Sequence, residues 1–138
     1  MRVYLAGPIS RPDGGTGQSA ENVRRVIALA DVLMARGHAP FVPHLSVFWQ
    51  YISGPKSHEA WLAMDSQWIP VCDALMRVLG ESPGADEEEA LAKKLGIPVT
   101  YVTRDLTTLQ LNALVGRMEV EAGKAAKNRA EIWEWREA

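Results

Sequence analysis

Cysteine is almost missing from this chain. Cys72 is the only one in 138 residues, so no intramolecular disulfide and no cysteine-built metal cluster can form, and a reducing cytoplasm is the expected setting. A basic excess is missing as well. With 15 Lys and Arg against 17 Asp and Glu the formal net charge is -2, which lacks the surplus that draws proteins onto phosphate backbones, and nucleic acid is not an expected partner. Long apolar runs are also lacking. The stretch in MRVYLAGPIS is too short for a signal peptide and is cut by Gly7-Pro8, and nothing approaches the roughly 18 apolar residues needed to span a bilayer. What remains is a chain with 47% hydrophobic residues, enough for one core, since separate cores usually need more than about 100 residues each.

The order of elements can be read from periodicity. Arg2 to Ala6 alternates and is stopped by Gly7-Pro8, a first strand. A polar loop, SRPDGGTGQSAEN, leads to Val23–Met34, whose apolar residues recur at three and four as in an amphipathic helix ended by Gly37. Ala39 to Val42 is a short second strand closed by Pro43, and His44 to Ser57, with Gly54-Pro55, reads as loop. Helical spacing returns through Ala60, Met64, Trp68 and Ile69, followed by the apolar strand Asp73 to Leu79, buried on both faces. GESPG turns into a helix over Ala85–Leu95, Gly96 caps it, and Ile97 to Val102 is the fourth strand. This alternation predicts an α/β fold: a three-layer, mostly parallel, four- or five-stranded sheet of Rossmann or flavodoxin type. Residues 1–104 form that domain, and 105–138 form a C-terminal helical extension packing on it or on a neighbouring subunit. The stripe Leu111, Leu114, Val115, Met118 and Ala122 comes after the sheet is complete and predicts a homodimer or higher homo-oligomer. Packing of the stripe on the chain's own sheet is the alternative.

In open parallel sheets ligands bind beyond the carboxyl ends of the strands, so the loops beginning at Gly7, Pro43, Gly80 and Thr103 matter most. Gly15-Thr16-Gly17-Gln18-Ser19-Ala20 matches G-x-G-x-x-A on paper, but it comes too late after the strand, and the second strand ends in Pro43-His44 without the required acid. A dinucleotide or flavin redox protein is therefore rejected, and the loop is either a plain flexible connection or a lid or partial phosphate contact. Ser82-Pro83-Gly84-Ala85 opens a helix and serves either as a cap or as an anion site. Of Asp86, Glu87, Glu88 and Glu89, helical geometry allows at most one or two to face a ligand; the others favour the helix dipole. Asp65 alone would be a solvated helix residue, Asp73 a hydrogen-bonding group at the strand's start, and His44 either a structural histidine or a ligand contact. No second His at helical spacing suggests a metal.

Taken together, Tyr4-Leu5-Ala6-Gly7-Pro8, Asn22, the Gly37 to Pro43 turn and strand, Asp65 with Trp68, Cys72-Asp73, Ser82-x-Gly84-x-x-x-Glu88, Ala90, Ala92 and Gly96-Ile97-Pro98-Val99 resemble the nucleoside 2-deoxyribosyltransferase superfamily. The resemblance extends to its deoxynucleoside 5'-monophosphate N-hydrolase branch and to related small phage and bacterial proteins. It implies Glu88 as nucleophile, with Asp65 and Tyr4 as further catalytic residues. It also implies substrate contacts at Gly7, Pro8, Ile9, Ser10 and Arg11, with Ser82 and Gly84 at a phosphate. The hydrolase branch has Gly-Ser-Ile-Arg after the first strand where this chain has Gly7-Pro8-Ile9-Ser10, with Arg11 one place late; the Gly-Pro form is closer to the transferases. A serine that the neighbouring subunit contributes in that branch has its nearest match in Asn112.

Such chemistry suits two carboxyl groups. Cleaving a base from C1' passes through an oxocarbenium-like state that one carboxylate can trap, while a second manages the proton on the departing base. The expected function is therefore cleavage of the N-glycosidic bond of a small nucleoside or nucleotide, with transfer to water or to another base and with no metal or organic cofactor. The alternative is a non-catalytic nucleotide-binding or sensing module on the same scaffold.

Overall fold

Alternation along the first strand sets the layers. The computed structural model describes residues 1–9, 16–103 and 105–137, with side chains there except those of 16–18, 129 and 131–137. In β1 (Arg2–Ala6) every residue from Val3 to Ala6 is buried. Val3 and Leu5 enter one hydrophobic cluster, Tyr4 and Ala6 the other, as a period of two requires. Next come α1 (Thr16–Ala35), β2 (Ala39–Phe41), a 3-10 turn (Pro43–Leu45), α2 (Ser46–Ser53) and α3 (His58–Asp65). A second 3-10 turn (Ile69–Val71), β3 (Ala74–Val78), α4 (Pro83–Lys94), β4 (Val99–Val102) and α5 (Thr108–Glu137) complete the order.

The sheet has four strands in the order β2-β1-β3-β4, all parallel, with Tyr4 opposite Phe41 on one side and Leu75 on the other. It grows one way from β1 to β2 and the opposite way from β3 to β4. Right-handed crossovers then put α1 and α4 on opposite faces. Val26, Leu29, Ala30 and Leu33 of α1 pack with Val3, Leu5 and Met76 on the first face; Ala85 and Ala92 of α4 pack with Tyr4, Leu75 and Ile97 on the second. The reversal lies between β1 and β3, and the crevice at their carboxyl ends is where this architecture admits a ligand. Among the described residues no helix is long and apolar enough to cross a membrane.

Three expectations need correction. The first helix begins at Thr16, several residues before the apolar stripe that periodicity detects; the polar Asn22, ahead of that stripe, is buried and donates to the Ile9 carbonyl at 3.3 Å. The segment expected to be loop from His44 to Ser57 holds the 3-10 turn and α2. Pro43 seeds the turn, and the helix ends at Gly54, whose φ of 87° only glycine adopts readily. Finally, Leu111, Leu114, Val115, Met118 and Ala122 are all buried against α1 and the strands of their own chain. The apolar stripe of α5 is consumed within the chain and gives no reason for a second copy.

Candidate active site

Two halves face each other across the crevice. The first is built on β1, β3 and α4. Ser82 accepts a hydrogen bond from the Ala85 amide at 3.2 Å and Pro83 occupies the first turn, an N-cap arrangement contributing about 1 kcal/mol. Arg77, buried in β3, donates to the carbonyls of Val78 and Gly80 and, at 2.9 Å, to Asp86, fastening the turn between β3 and α4 from below. Helical spacing then decides which acid points inward. Ala85, Glu88 and Ala92 share the buried face of α4, while Asp86 and Glu87 are exposed. Glu88, 9% exposed, accepts a hydrogen bond from the Tyr4 hydroxyl. Tyr4 is itself fixed by ring stacking, on Phe41 at 5.3 Å and through it on Trp68 at 5.3 Å. Burial pushes the Glu88 carboxyl up to about 8, because a charged form loses its hydration there.

The second half comes from the 3-10 turn and α3. His44 is 1% exposed, and neither ring nitrogen has a hydrogen-bond partner. Burial lowers its pKa to about 4, with the nearby backbone of Pro8 and Gly7 opposing the shift, so the ring is neutral. Along α3, His58, Trp61, Leu62 and Asp65 line the crevice, at the i, i+3, i+4, i+7 spacing of one helical face. Asp65 is 7% exposed, and burial raises its carboxyl to about 6. Ser57 caps the helix through the Ala60 amide, and Gln50 of α2 accepts from the Lys56 amide at 3.1 Å, tying the α2–α3 connection back to the crevice.

The cleft, open to solvent on one side, measures about 490 Å³, within the range of small-molecule sites. It gathers Gly7, Ile9, His44, Asp65, Ser82, Gly84 and Glu88, residues scattered over most of the sequence, with Tyr4 beneath Glu88. Pro8 is buried beside Gly7 but is not part of the lining. Ser10 and Arg11 lie outside the described residues. Asn112 is on α5, donating to the Thr108 carbonyl and accepting from Arg36; the fold does not bring it to the cleft of its own chain, and the contact expected of it needs a second copy. Two glycines have a side chain close by, the fixed Cβ of buried Val78 at Gly7 and the ring tip of the exposed His58, free to swing aside, at Gly84. A Cβ at Gly7 would lie 3.0 Å from Val78 Cβ, and one at Gly84 would lie 2.9 Å from His58 Cε1. Residues missed in the sequence are Ser46, Gln50, Lys56, His58 and Trp61, all lining the cleft. Their signal was the unrecognised helix α2, which sets the position of the segment after it. Among the described residues no three His, Cys, Asp or Glu side chains gather as a metal cage.

The arrangement can therefore present a hydrogen-bonded buried carboxyl and a second carboxyl, each holding its proton to unusually high pH, to a ligand of nucleoside size. Solved structures of similar fold include a 2-deoxyribosyltransferase from Bacillus psychrosaccharolyticus, with TM-score 0.50, 18% identity and 80% of each chain covered. A second is the CMP N-glycosidase BcmB of Clostridium botulinum, with TM-score 0.51, 17% identity, 83% of this chain covered and 82% of the other. At these identities the likeness is one of fold. No curated protein matches the chain. The family model that does match spans residues 2–102, which takes in the sheet, the cleft and both buried carboxyls; the chain belongs to that family, described as a domain of unknown function, DUF7768.

Proposed function

We propose that this protein cleaves the N-glycosidic bond of a nucleoside or deoxynucleoside, or of its 5'-monophosphate, through Glu88. The observation that carries the reading is the buried Glu88 carboxyl, held by the Tyr4 hydroxyl at the wall of the cleft. The two solved relatives in fold are described as acting on nucleosides and on CMP, which fits that assignment.

In the first step a Glu88 carboxylate oxygen bonds to C1' as the C1'–N bond breaks, and the bonding pair leaves with the base. Asp65 gives the base a proton. In the second step water, or the nitrogen of another base, attacks C1', the glycosyl-carboxylate bond breaks and Asp65 takes the proton of the attacking group. Glu88 must be ionised to attack, although its pKa of about 8 keeps it mostly protonated at pH 7 in the empty cleft. Positive charge developing on the sugar favours the carboxylate, and so does the Tyr4 hydrogen bond.

The 5' end of the substrate is assigned to the turn of Ser82 and Gly84, where the amides opening α4 favour an anion. Lys56 and His58 line the cleft and add positive or protonatable groups to the acid-rich α4. From Gly84 to Glu88 is one helical turn, about 6 Å along the axis, the distance from a held 5' group to C1'. The test is to incubate the protein with deoxynucleosides, ribonucleosides and their 5'-monophosphates and to follow free base by chromatography. Base release that disappears in Glu88→Gln supports the reading; no release from any of them, or release that survives the substitution, refutes it.

A further inference from the structure

Among the described residues other than glycine, Asp105 alone has a positive φ, 60°. An L side chain adopts that conformation at a cost, although Asp tolerates it better than most. Asp105 lies in the connection leaving β4, at the carboxyl end of the sheet where the cleft opens. Its carboxylate accepts from Arg25 Nε of α1 at 3.1 Å. The same guanidinium donates through Nη1 to Asn22 Oδ1 at 3.4 Å, and Asn22 Nδ2 donates to the Ile9 carbonyl at 3.3 Å. Asn22 is 5% exposed. Neither Asn22 nor Arg25 lines the cleft, whereas Ile9 does.

The direction of each link follows from the one before. A guanidinium can only donate, so Arg25 turns the Asn22 amide with Oδ1 towards itself and leaves Nδ2 facing the Ile9 carbonyl. The reverse orientation would oppose donor to donor at Arg25 and acceptor to acceptor at Ile9. We propose that Asn22 is a positioning residue: oriented by Arg25 and Asp105, it ties the Ile9 backbone to α1 and so sets the width of the cleft on the Gly7 side. The kinetic consequence rests on the N-glycosidase reading. Glu88 is held separately, by the Tyr4 hydroxyl and the stack of Tyr4 on Phe41, so a slackened wall costs substrate binding and spares the chemical step.

Two substitutions cut the strap at opposite ends. Asn22→Asp keeps the shape and still accepts from Arg25, but sets a carboxylate oxygen against the Ile9 carbonyl. Asp105→Gly removes the first link and at the same time relieves the left-handed backbone; Glu21, 3.9 Å from the Arg25 guanidinium, keeps part of its hold. Base release is followed from deoxynucleosides, ribonucleosides and their 5'-monophosphates. For the substrates that the wild type cleaves, KM is expected to rise about fivefold or more in Asn22→Asp with kcat within about twofold. In Asp105→Gly the rise is about threefold while Tm equals or exceeds that of the wild type, a combination that a merely structural residue would not give. Hydrogen exchange at the Gly7 and Ile9 amides is expected to quicken in Asn22→Asp. KM unchanged in both variants, or activity that falls only in step with Tm, overturns the role of Asn22. If the wild type releases no base from any substrate, the reading of function falls and exchange alone decides the strap: faster exchange at Gly7 and Ile9 supports it, and unchanged exchange overturns it.

Discussion

Replacing Glu88 by Gln removes a charge that the folded chain resists. Burial carries this carboxyl from an ordinary 4.5 to about 8, so the native state keeps its proton where the unfolded chain has lost it. The stability that this group contributes then falls as pH rises from about 4.5 to about 8, and that contribution is fully lost above about 8. At about 1.4 kcal/mol per pH unit the cost at pH 9 is on the order of 5 kcal/mol, against less than about 1 kcal/mol at pH 5. Glutamine fills the same space, still accepts from the Tyr4 hydroxyl and has nothing to ionise. Glu88→Gln is therefore expected to be close to wild type in stability at pH 5 and more stable at pH 9 by roughly 4 kcal/mol, a rise of ~10 °C or more in Tm for a chain of this size. Urea unfolding of both proteins at the two pH values measures it. Equal pH dependence in the two would show that the carboxyl is solvated in the native state, which removes the basis for reading Glu88 as a desolvated group.

Base release should follow a bell-shaped pH profile in kcat/KM with limbs near the values of Asp65 and Glu88, about 6 and about 8; a flat profile from pH 5 to 9 would count against the pair. Asp65→Asn should lower turnover at least about 100-fold and leave a single limb near 8 along which the rate rises as Glu88 ionises, and an unchanged rate would reduce Asp65 to a bystander. Tyr4→Phe removes the donor to Glu88, so the limb set by Glu88 should move to higher pH and turnover should fall about 10-fold or more; a limb that stays put would sever the link between the two. Gly7→Ala would set a methyl 3.0 Å from Val78 Cβ and 3.6 Å from His44 Nε2, costing ~1–3 kcal/mol through overpacking, and thermal unfolding indistinguishable from wild type would contradict the crowding.

The sheet was legible because its strands obey simple rules. Arg2–Ala6 and Ala74–Val78 each hold a single charged residue, Arg2 and Arg77, among apolar ones, so the two central strands declare themselves. Glu88 could be singled out of four consecutive acids only by resemblance, although its inward position follows once Ala85 and Ala92 define the buried face of α4. Asp65 and His44 were ambiguous for a physical reason: sequence carries no sign of the space that the crevice opens in front of them. The segment from Ser46 to Ser53 defeated the reading outright. Its helix leaves Phe48, Tyr51 and Ile52 at least 65% exposed, so there is no polar face to set against an apolar one, and Gly54-Pro55 read as the centre of a loop rather than as the end of a helix. Once that helix was lost, nothing could place Lys56, His58 and Trp61 at the cleft.

Neither hydrophobic cluster includes a residue of α2 or α3, whereas Tyr4 and the face of α4 that presents Glu88 belong to one of them or adjoin it. The chain thus separates what must stay constant from what can vary. Substitutions between Ser46 and Met64 reshape one wall of the cleft without touching the packing that positions Glu88, so that wall can change at little cost to folding. A family built on this plan can diversify by rewriting about twenty residues while leaving the Tyr4–Glu88 pair untouched.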